Sequence, residues 1–212
     1  MADNIYWHHN SINRKDRELL NNHKSFILWF TGMSASGKST LAVLTDKVLY
    51  KLGCRTYILD GDNIRHGVNK DLNFSVEDRA ENIRRVIEIA KLFCDSGIIS
   101  LAAFISPYIK ERLAARKICG KGDFVEIFVD CPIEICEQRD PKGIYKKVRK
   151  GAIKGFTGID APYEKPVNPE IHLRTDTVSI KESIELIIKY LVEHKYIMPN
   201  NSYQRIISNE IT

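Results

Sequence analysis

Phe26-Ile27-Leu28-Trp29-Phe30-Thr31 runs directly into Gly32-Met33-Ser34-Ala35-Ser36-Gly37-Lys38-Ser39-Thr40, and this junction decides the fold. The first half is a continuous apolar run, short enough for a parallel strand buried on both faces. The second half fits G-x-x-x-x-G-K-[ST] in full, the loop whose glycines let successive N–H groups turn inward on phosphate oxygens. A helix opening near Lys38 adds its positive dipole end to the same anion. In that geometry Lys38 reaches the outer phosphates, and the Ser39 hydroxyl becomes a ligand for Mg²⁺. Gly32, Ser34, Ala35, Ser36, Gly37, Lys38, Ser39 and Thr40 are therefore the expected nucleoside triphosphate cradle. The motif leaves the acceptor of any phosphoryl group open.

Further strand-like runs lie at 56–59, 98–105 and 124–129, with a weaker one at 172–175. Between them the period lengthens to that of a helix. Ser75-Val76-Glu77-Asp78 reads as a capping box, opening a helix whose core face is Val76, Ala80, Ile83, Ile87, Ala90 and Cys94. Ile184, Ile187, Ile188 and Leu191 mark a last helix in the same way. Strand and helix alternating behind a phosphate loop predict an α/β fold: three layers around a mostly parallel, five-stranded sheet, of the P-loop NTPase type. The stretch 139–169 interrupts the alternation with four glycines and no strand-like run, and reads as a mobile surface excursion.

Composition agrees with one soluble domain. The chain has 212 residues, 43% hydrophobic and 28% charged, enough to bury a real core and unlike disordered or collagen-like chains. A net charge of +5 suits small anions and is too weak alone to argue for nucleic acid. Five cysteines without a C-x-x-C pair read as free thiols in a reducing compartment. No apolar run reaches the ~18 residues of a membrane span, and residues 1–13 lack a signal-peptide pattern. The expectation is a cytoplasmic protein with no membrane partner. It divides into an arm (1–24), a P-loop domain (25–197) with a basic excursion at about 139–163, and a tail (198–212).

Candidate chemistry gathers after the second strand. Asp60-Gly61-Asp62 stands at a strand end, where open α/β sheets place ligands. One carboxylate there can hold Mg²⁺ while another accepts a proton from an attacking hydroxyl. Arg65, Arg79 and Asn82 can face the same cleft, the two arginines clamping an anion while Phe74 offers a face to a base. Asn69-Lys70-Asp71 looks superficially like a guanine-specific N-K-x-D, but its aspartate comes one residue early and it is discounted.

Five blocks carry a resemblance to the adenylylsulfate (APS) kinases: 59–67 (LDGDNIRHG), 78–85 (DRAENIRR), 104–108 (FISPY), 139–147 (RDPKGIYKK) and 155–164 (GFTGIDAPYE). They occur in the family's order, between about Trp7 and Leu191. The resemblance implies transfer of the γ-phosphoryl of MgATP to the 3′-hydroxyl of APS, in the stand-alone, homodimeric form of that enzyme. It implies that Asp62, Asn63, Ile64, Arg65, Phe74, Arg79, Asn82, Ile105, Ser106, Lys142, Lys154, Gly155 and Phe156 hold APS, with Phe74 and Phe156 sandwiching its adenine. Ser39, Asp60 and Asp62 would serve the metal, Arg139 would stack on the ATP base, and Asp62, Lys38 and Ser106 would be catalytic. Ser106 stands where the family's phosphoserine intermediate has been placed. Direct in-line transfer is the simpler expectation, with Ser106 as a ligand hydroxyl, since a serine nucleophile needs its own base.

Arg139, Lys142, Lys146, Lys147, Arg149, Lys150 and Lys154 would form a lid that closes over polyphosphate, facing only Asp140 and Asp160 as acids. Asn73 departs from the glycine frequent before Phe74, and no counterpart of the plant redox cysteines is found, so no thiol switch is expected. The Trp7-His8 segment is read as an interface, a cleft cover or a frayed arm. Two alternatives stand beside this reading. One is a P-loop kinase of the nucleoside or shikimate kind. The other is a nucleotide-dependent module gripping RNA or protein, which the lack of aromatics interleaved with the basic run disfavours.

Overall fold

The computed structural model describes residues 10–198 together with Tyr6, His8 and Ile206; Trp7 and nearly all of the expected tail lie outside the described residues. In chain order the elements are α1 (Arg14–Asn21), β1 (Ile27–Thr31), α2 (Lys38–Lys51), β2 (Thr56–Asp60), α3 (Gly61–His66), α4 (Val76–Asp95) and β3 (Ile99–Ala103). They continue with α5 (Ile109–Ile118), β4 (Phe124–Asp130), α6 (Ile133–Arg139), α7 (Ile144–Arg149), β5 (Ile171–Arg174) and α8 (Ile180–Glu193).

The five strands form one sheet in the order β2-β3-β1-β4-β5, every pairing parallel. β1 is central, and its alternating side chains show why its sequence is apolar throughout. Phe26, Leu28 and Phe30 enter the core beneath α2 and α8, while Ile27 and Trp29 enter the core beneath α4 and α5. Each such side chain removed from water contributes about 1.5–3 kcal/mol, so the two helical layers are held by opposite faces of the same strand. β1 is flanked by β3 on one side and β4 on the other. The chain therefore leaves β1 toward β2 and later crosses back, and the crevice at the strand ends opens there.

Several local expectations need correction. Val76 is exposed and Ala80 only half-buried, because α4 enters from solvent; its core face begins at Asn82 and Ile83 and continues through Val86, Ile87, Ala90 and Cys94. The Ser75 cap is half a box: its hydroxyl accepts from the Asp78 N–H, but the Asp78 carboxylate turns outward to the Asn73 N–H. The arm holds the helix α1, which contributes no buried residue. It is fastened at the lower end of the sheet through Arg14 to Asp123, Glu18 to Ser25 and Asn21 to the Gly97 carbonyl. The stretch after Arg139 is not featureless either. It folds α7, whose Tyr145 and Val148 are buried, and it builds a small core of Cys131, Cys136 and Tyr145 against Met33, Ala35 and Phe156. Its basic side chains also meet more acids than Asp140 and Asp160: Arg149 pairs with Glu137, and Lys142 with Asp62.

Candidate active site

The loop between β1 and α2 is shaped by close approach. A Cβ on Gly32 would meet the Val129 carbonyl oxygen at 2.4 Å and the Ser36 hydroxyl at 2.8 Å, so only glycine lets the loop leave β1 beside β4. Gly37, at φ 105°, starts α2 with no side-chain cap and no acidic residue in the first turn. α1, α4 and α8, by contrast, are each capped by a side chain and carry acids there. The amide end of α2 is thus left open toward an anion.

Lys38 is buried beside this opening, and its ammonium donates to the Met33 carbonyl at 2.6 Å. Burial pushes its pKa down to about 8, against smaller opposing effects of Cys136 and Asp60. Ser34 and Ala35 are half-buried, Ser36 is buried, and Ser39 and Thr40 are exposed at the mouth. Two tethers stiffen the loop from outside, and a third bond backs one of them. The Tyr145 hydroxyl donates to the Ser34 carbonyl at 3.0 Å, the Thr175 hydroxyl to the Ser36 carbonyl at 2.8 Å, and Arg139 to the Thr175 carbonyl at 2.5 Å.

Asp60 ends β2 and serves two neighbours at once. Its Oδ2 accepts from the Ser39 hydroxyl at 2.9 Å, and its Oδ1 accepts from the Asp62 N–H at 3.0 Å, capping α3. Asp62 therefore stands on the first turn of a helix whose start is fixed by the phosphate loop's own serine. The Asp62 carboxylate is exposed and ion-paired with Lys142, from the basic stretch that follows Arg139. Asn63 beside it is exposed, whereas Ile64 packs into the core beneath α4.

Arg65 donates to the Leu72 and Asn73 carbonyls at 3.1 and 2.9 Å, and its guanidinium lies 4.5 Å from the Phe74 ring centre. One face of Phe74 is thereby covered, and the ring is still 70% exposed, so its other face is the one left for a partner. Arg79 links that wall to the expected lid stretch: it donates to the Phe74 carbonyl at 3.0 Å, the Thr157 hydroxyl at 3.1 Å and the Gly155 carbonyl at 2.7 Å. Phe156 is half-buried and meets Tyr145 edge-on at 5.1 Å, while Gly155 and Lys154 are exposed. One guanidinium thus ties the chain at Phe74 to the chain at Phe156. Desolvation, and after it the charge of Arg79, lowers the pKa of Arg65, while Asp78 and Asp62 oppose the shift. Asn82, one helical turn on, is buried and bonded to Asn69.

Ser106 differs from the expectation of a substrate-facing hydroxyl. The residue is 2% exposed, at φ 38°, below the half-buried Ile105. Its hydroxyl accepts from the Trp29 indole N–H at 3.0 Å and donates to the Thr31 hydroxyl at 2.9 Å. Thr31 is in turn 2.9 Å from the Tyr163 hydroxyl. Among the described residues the hydroxyl so held bonds no carboxylate or imidazole, and its visible work is to hold a strained corner at the floor of the cleft.

Sequence reading missed the supports: Thr175, Tyr163, Trp29 and the buried pair of Arg112 with Glu126 at 2.8 Å. Arg112 also donates to the Ser106 and Glu164 carbonyls at 2.6 and 2.7 Å. Nothing in their local spacing announces a site, since each is joined to it only through the sheet. Glu111 was missed likewise. Among the described residues its buried carboxylate oxygens meet no hydrogen-bond donor, and burial pushes its pKa up.

A family model described as adenylylsulphate kinase matches residues 24–174. The chain is 56% identical over 194 residues to the adenylyl-sulfate kinase of Clostridium acetobutylicum, covering 92% of this chain and 96% of that protein. To the adenylyl-sulfate kinase of Oceanobacillus iheyensis it is 55% identical over 196 residues, covering 92% and 98%. Among solved structures it is similar to the Mycobacterium tuberculosis APS kinase CysC in complex with AMPPNP and APS, with a TM-score of 0.76 and 47% identity over 80% of this chain and 98% of that one.

Proposed function

Since the chain belongs to the adenylylsulphate kinase family, we propose that it transfers the γ-phosphoryl group of ATP to the 3′-hydroxyl of adenosine 5′-phosphosulfate, releasing ADP and 3′-phosphoadenosine 5′-phosphosulfate. The observation that carries this reading is the double engagement of Asp60, which joins the phosphate loop to the helix bearing Asp62. A kinase must place donor and acceptor in line, and here one carboxylate sets the spacing of both sides.

The roles follow from position. The open amides of α2, with Lys38, hold the donor's outer phosphates and take up charge on the leaving β-phosphate. Arg139 and Thr175, joined at the far side of the loop, receive the donor's base. Phe74 and Phe156 receive the acceptor's adenine, and Arg65 and Arg79 its phosphosulfate. Asp62 accepts the proton of the 3′-hydroxyl once Lys142 turns from it to phosphate. Closing the lid over both substrates excludes water that would otherwise take the phosphoryl group. Ser106 acts as a positioning residue and transfer is direct.

Ser39 Oγ and Asp60 Oδ2 are hard oxygen donors 2.9 Å apart, and they fit Mg²⁺, which takes few protein oxygens and fills its shell from phosphate and water. Bound there, the ion would neutralise phosphate charge. We place the reaction in the cytoplasm, where five free thiols stay reduced. We further read the protein as a homodimer, a reading supported by Leu19 and Leu20 of α1, which are 85% and 81% exposed and want a cover; light scattering at twice the monomer mass is the expected result.

The test is to incubate the purified protein with magnesium, ATP and APS and to follow ADP and the 3′-phosphorylated product. A panel of nucleosides and shikimate supplies the rivals. Turnover confined to APS is expected, and ATP consumption with a panel member but not with APS would overturn the assignment.

A further inference from the structure

Asn69 lies on the turn between α3 and α4 and is 0% exposed. Its N–H donates to the Ile64 carbonyl at 3.0 Å, closing the turn that follows α3. Its side-chain Nδ2 donates to Asn82 Oδ1 at 3.0 Å, while among the described residues its own Oδ1 meets no donor. A fully buried amide that leaves its acceptor idle is an expensive residue for a turn. What it achieves is orientation. An asparagine amide is an acceptor at one end and a donor at the other, so engaging Oδ1 of Asn82 leaves Nδ2 as its free end. Asn82 lies one turn along α4 from Arg79, whose guanidinium ties Phe74 to the lid.

We propose that Asn69 is a positioning residue that locks Asn82 as a hydrogen-bond donor toward the anionic acceptor substrate. The inference rests on the reading of this pocket as the APS site. It assigns to the discounted Asn69-Lys70-Asp71 stretch a part in acceptor recognition rather than in reading a guanine. Without the lock, Asn82 can present its oxygen lone pairs to the ligand's acceptor atoms as readily as its N–H groups, and recognition weakens.

Asn69→Asp is nearly isosteric and, as a carboxylate, only accepts. It draws Asn82 Nδ2 to itself and turns Oδ1 toward the pocket. The expected result is a KM for APS raised on the order of 10-fold, as for a lost or reversed hydrogen bond, with kcat and the KM for ATP within about twofold. In an Asn82→Ala background the same exchange is expected to leave the KM for APS unchanged within about twofold, since the group it orients is gone. If Asn69→Asp unfolds below the assay temperature, Asn69→Ala carries the comparison, with an expected rise of about threefold. A folded Asn69 variant with wild-type KM for APS overturns the proposal. So does an effect of equal size in the Asn82→Ala background, or one shared equally by ATP. Failure of the wild-type protein to use APS at all would instead overturn the site reading, and the proposal with it.

Discussion

Lys38 is buried against the Met33 carbonyl, and its loop's Ser34 and Ser36 carbonyls accept from the Tyr145 and Thr175 hydroxyls, whereas across the cleft Asp62, Phe74 and Lys142 stand in solvent, Asp62 paired with Lys142 and Phe74 lying against Arg65. The donor side is made of backbone: an uncapped helix end, a glycine pressed against β4, and tethers to Ser34 and Ser36. The acceptor side is made of long side chains that bridge separate segments, Arg79 above all. On the proposed assignment, a cradle of backbone receives the triphosphate, while the wall for the acceptor is assembled from side chains that join separate segments. The difference teaches that chemistry and selectivity here rest on different materials, and substitutions should separate them.

The sharpest test of that division is at the reacting atoms, where the two sides meet. Asp62→Asn and Lys38→Ala are each expected to lower kcat on the order of 10²–10⁴-fold, measured at saturating substrates. Near-normal turnover of Asp62→Asn would remove it as the proton acceptor. Beneath both sides, Arg112→Ala removes the 2.8 Å partner of buried Glu126, leaving it Arg116 at 3.5 Å, and frees two carbonyls. A loss of about 3–5 kcal/mol in unfolding free energy is expected, read by denaturant titration. Arg79→Ala should raise the KM for APS roughly 10-fold or more while leaving the affinity for an ATP analogue unaltered. An equal loss for both nucleotides would break the comparison. Ser106→Ala should change kcat by less than about threefold, against the complete loss that a phosphoserine pathway demands.

The smallest effect is protonic. Burial lowers the pKa of Lys38 to about 8, so without a ligand the ammonium is half discharged at that pH, and a bound triphosphate restores it. Binding of a non-hydrolysable ATP analogue should therefore take up roughly half a proton near pH 8 and almost none at pH 6, measured by calorimetry in buffers of differing ionisation enthalpy. The sign for the fold runs the other way. The buried charge costs stability below about pH 8, and that cost fades as pH rises toward the unfolded lysine's value.

How much of this was legible in the chain follows the same division. The donor loop could be read at once because its residues are contiguous and its strand and helix flank it. β5, whose sequence is only a weak strand-like run, forms at Ile171–Arg174. Asp60 and Asp62 were legible as a pair of acids but not as cap and first turn of α3, since D-G-D has equal claim to a bare turn. Val76 was misread because a helical period says nothing of where a helix enters the protein. The Ser106 hydroxyl, the Thr175 tether and Asn69 depend on partners 13 to 139 residues away, and no local pattern encodes them.

Asp60 touches both sides of the cleft. Because one oxygen of its carboxylate starts α3 and the other faces Ser39, it works as a common axle: neither half of the machine can be shimmed without retuning the other. Lengthening that residue by one methylene should therefore misalign attack and departure together, a timing fault rather than a fault of grip.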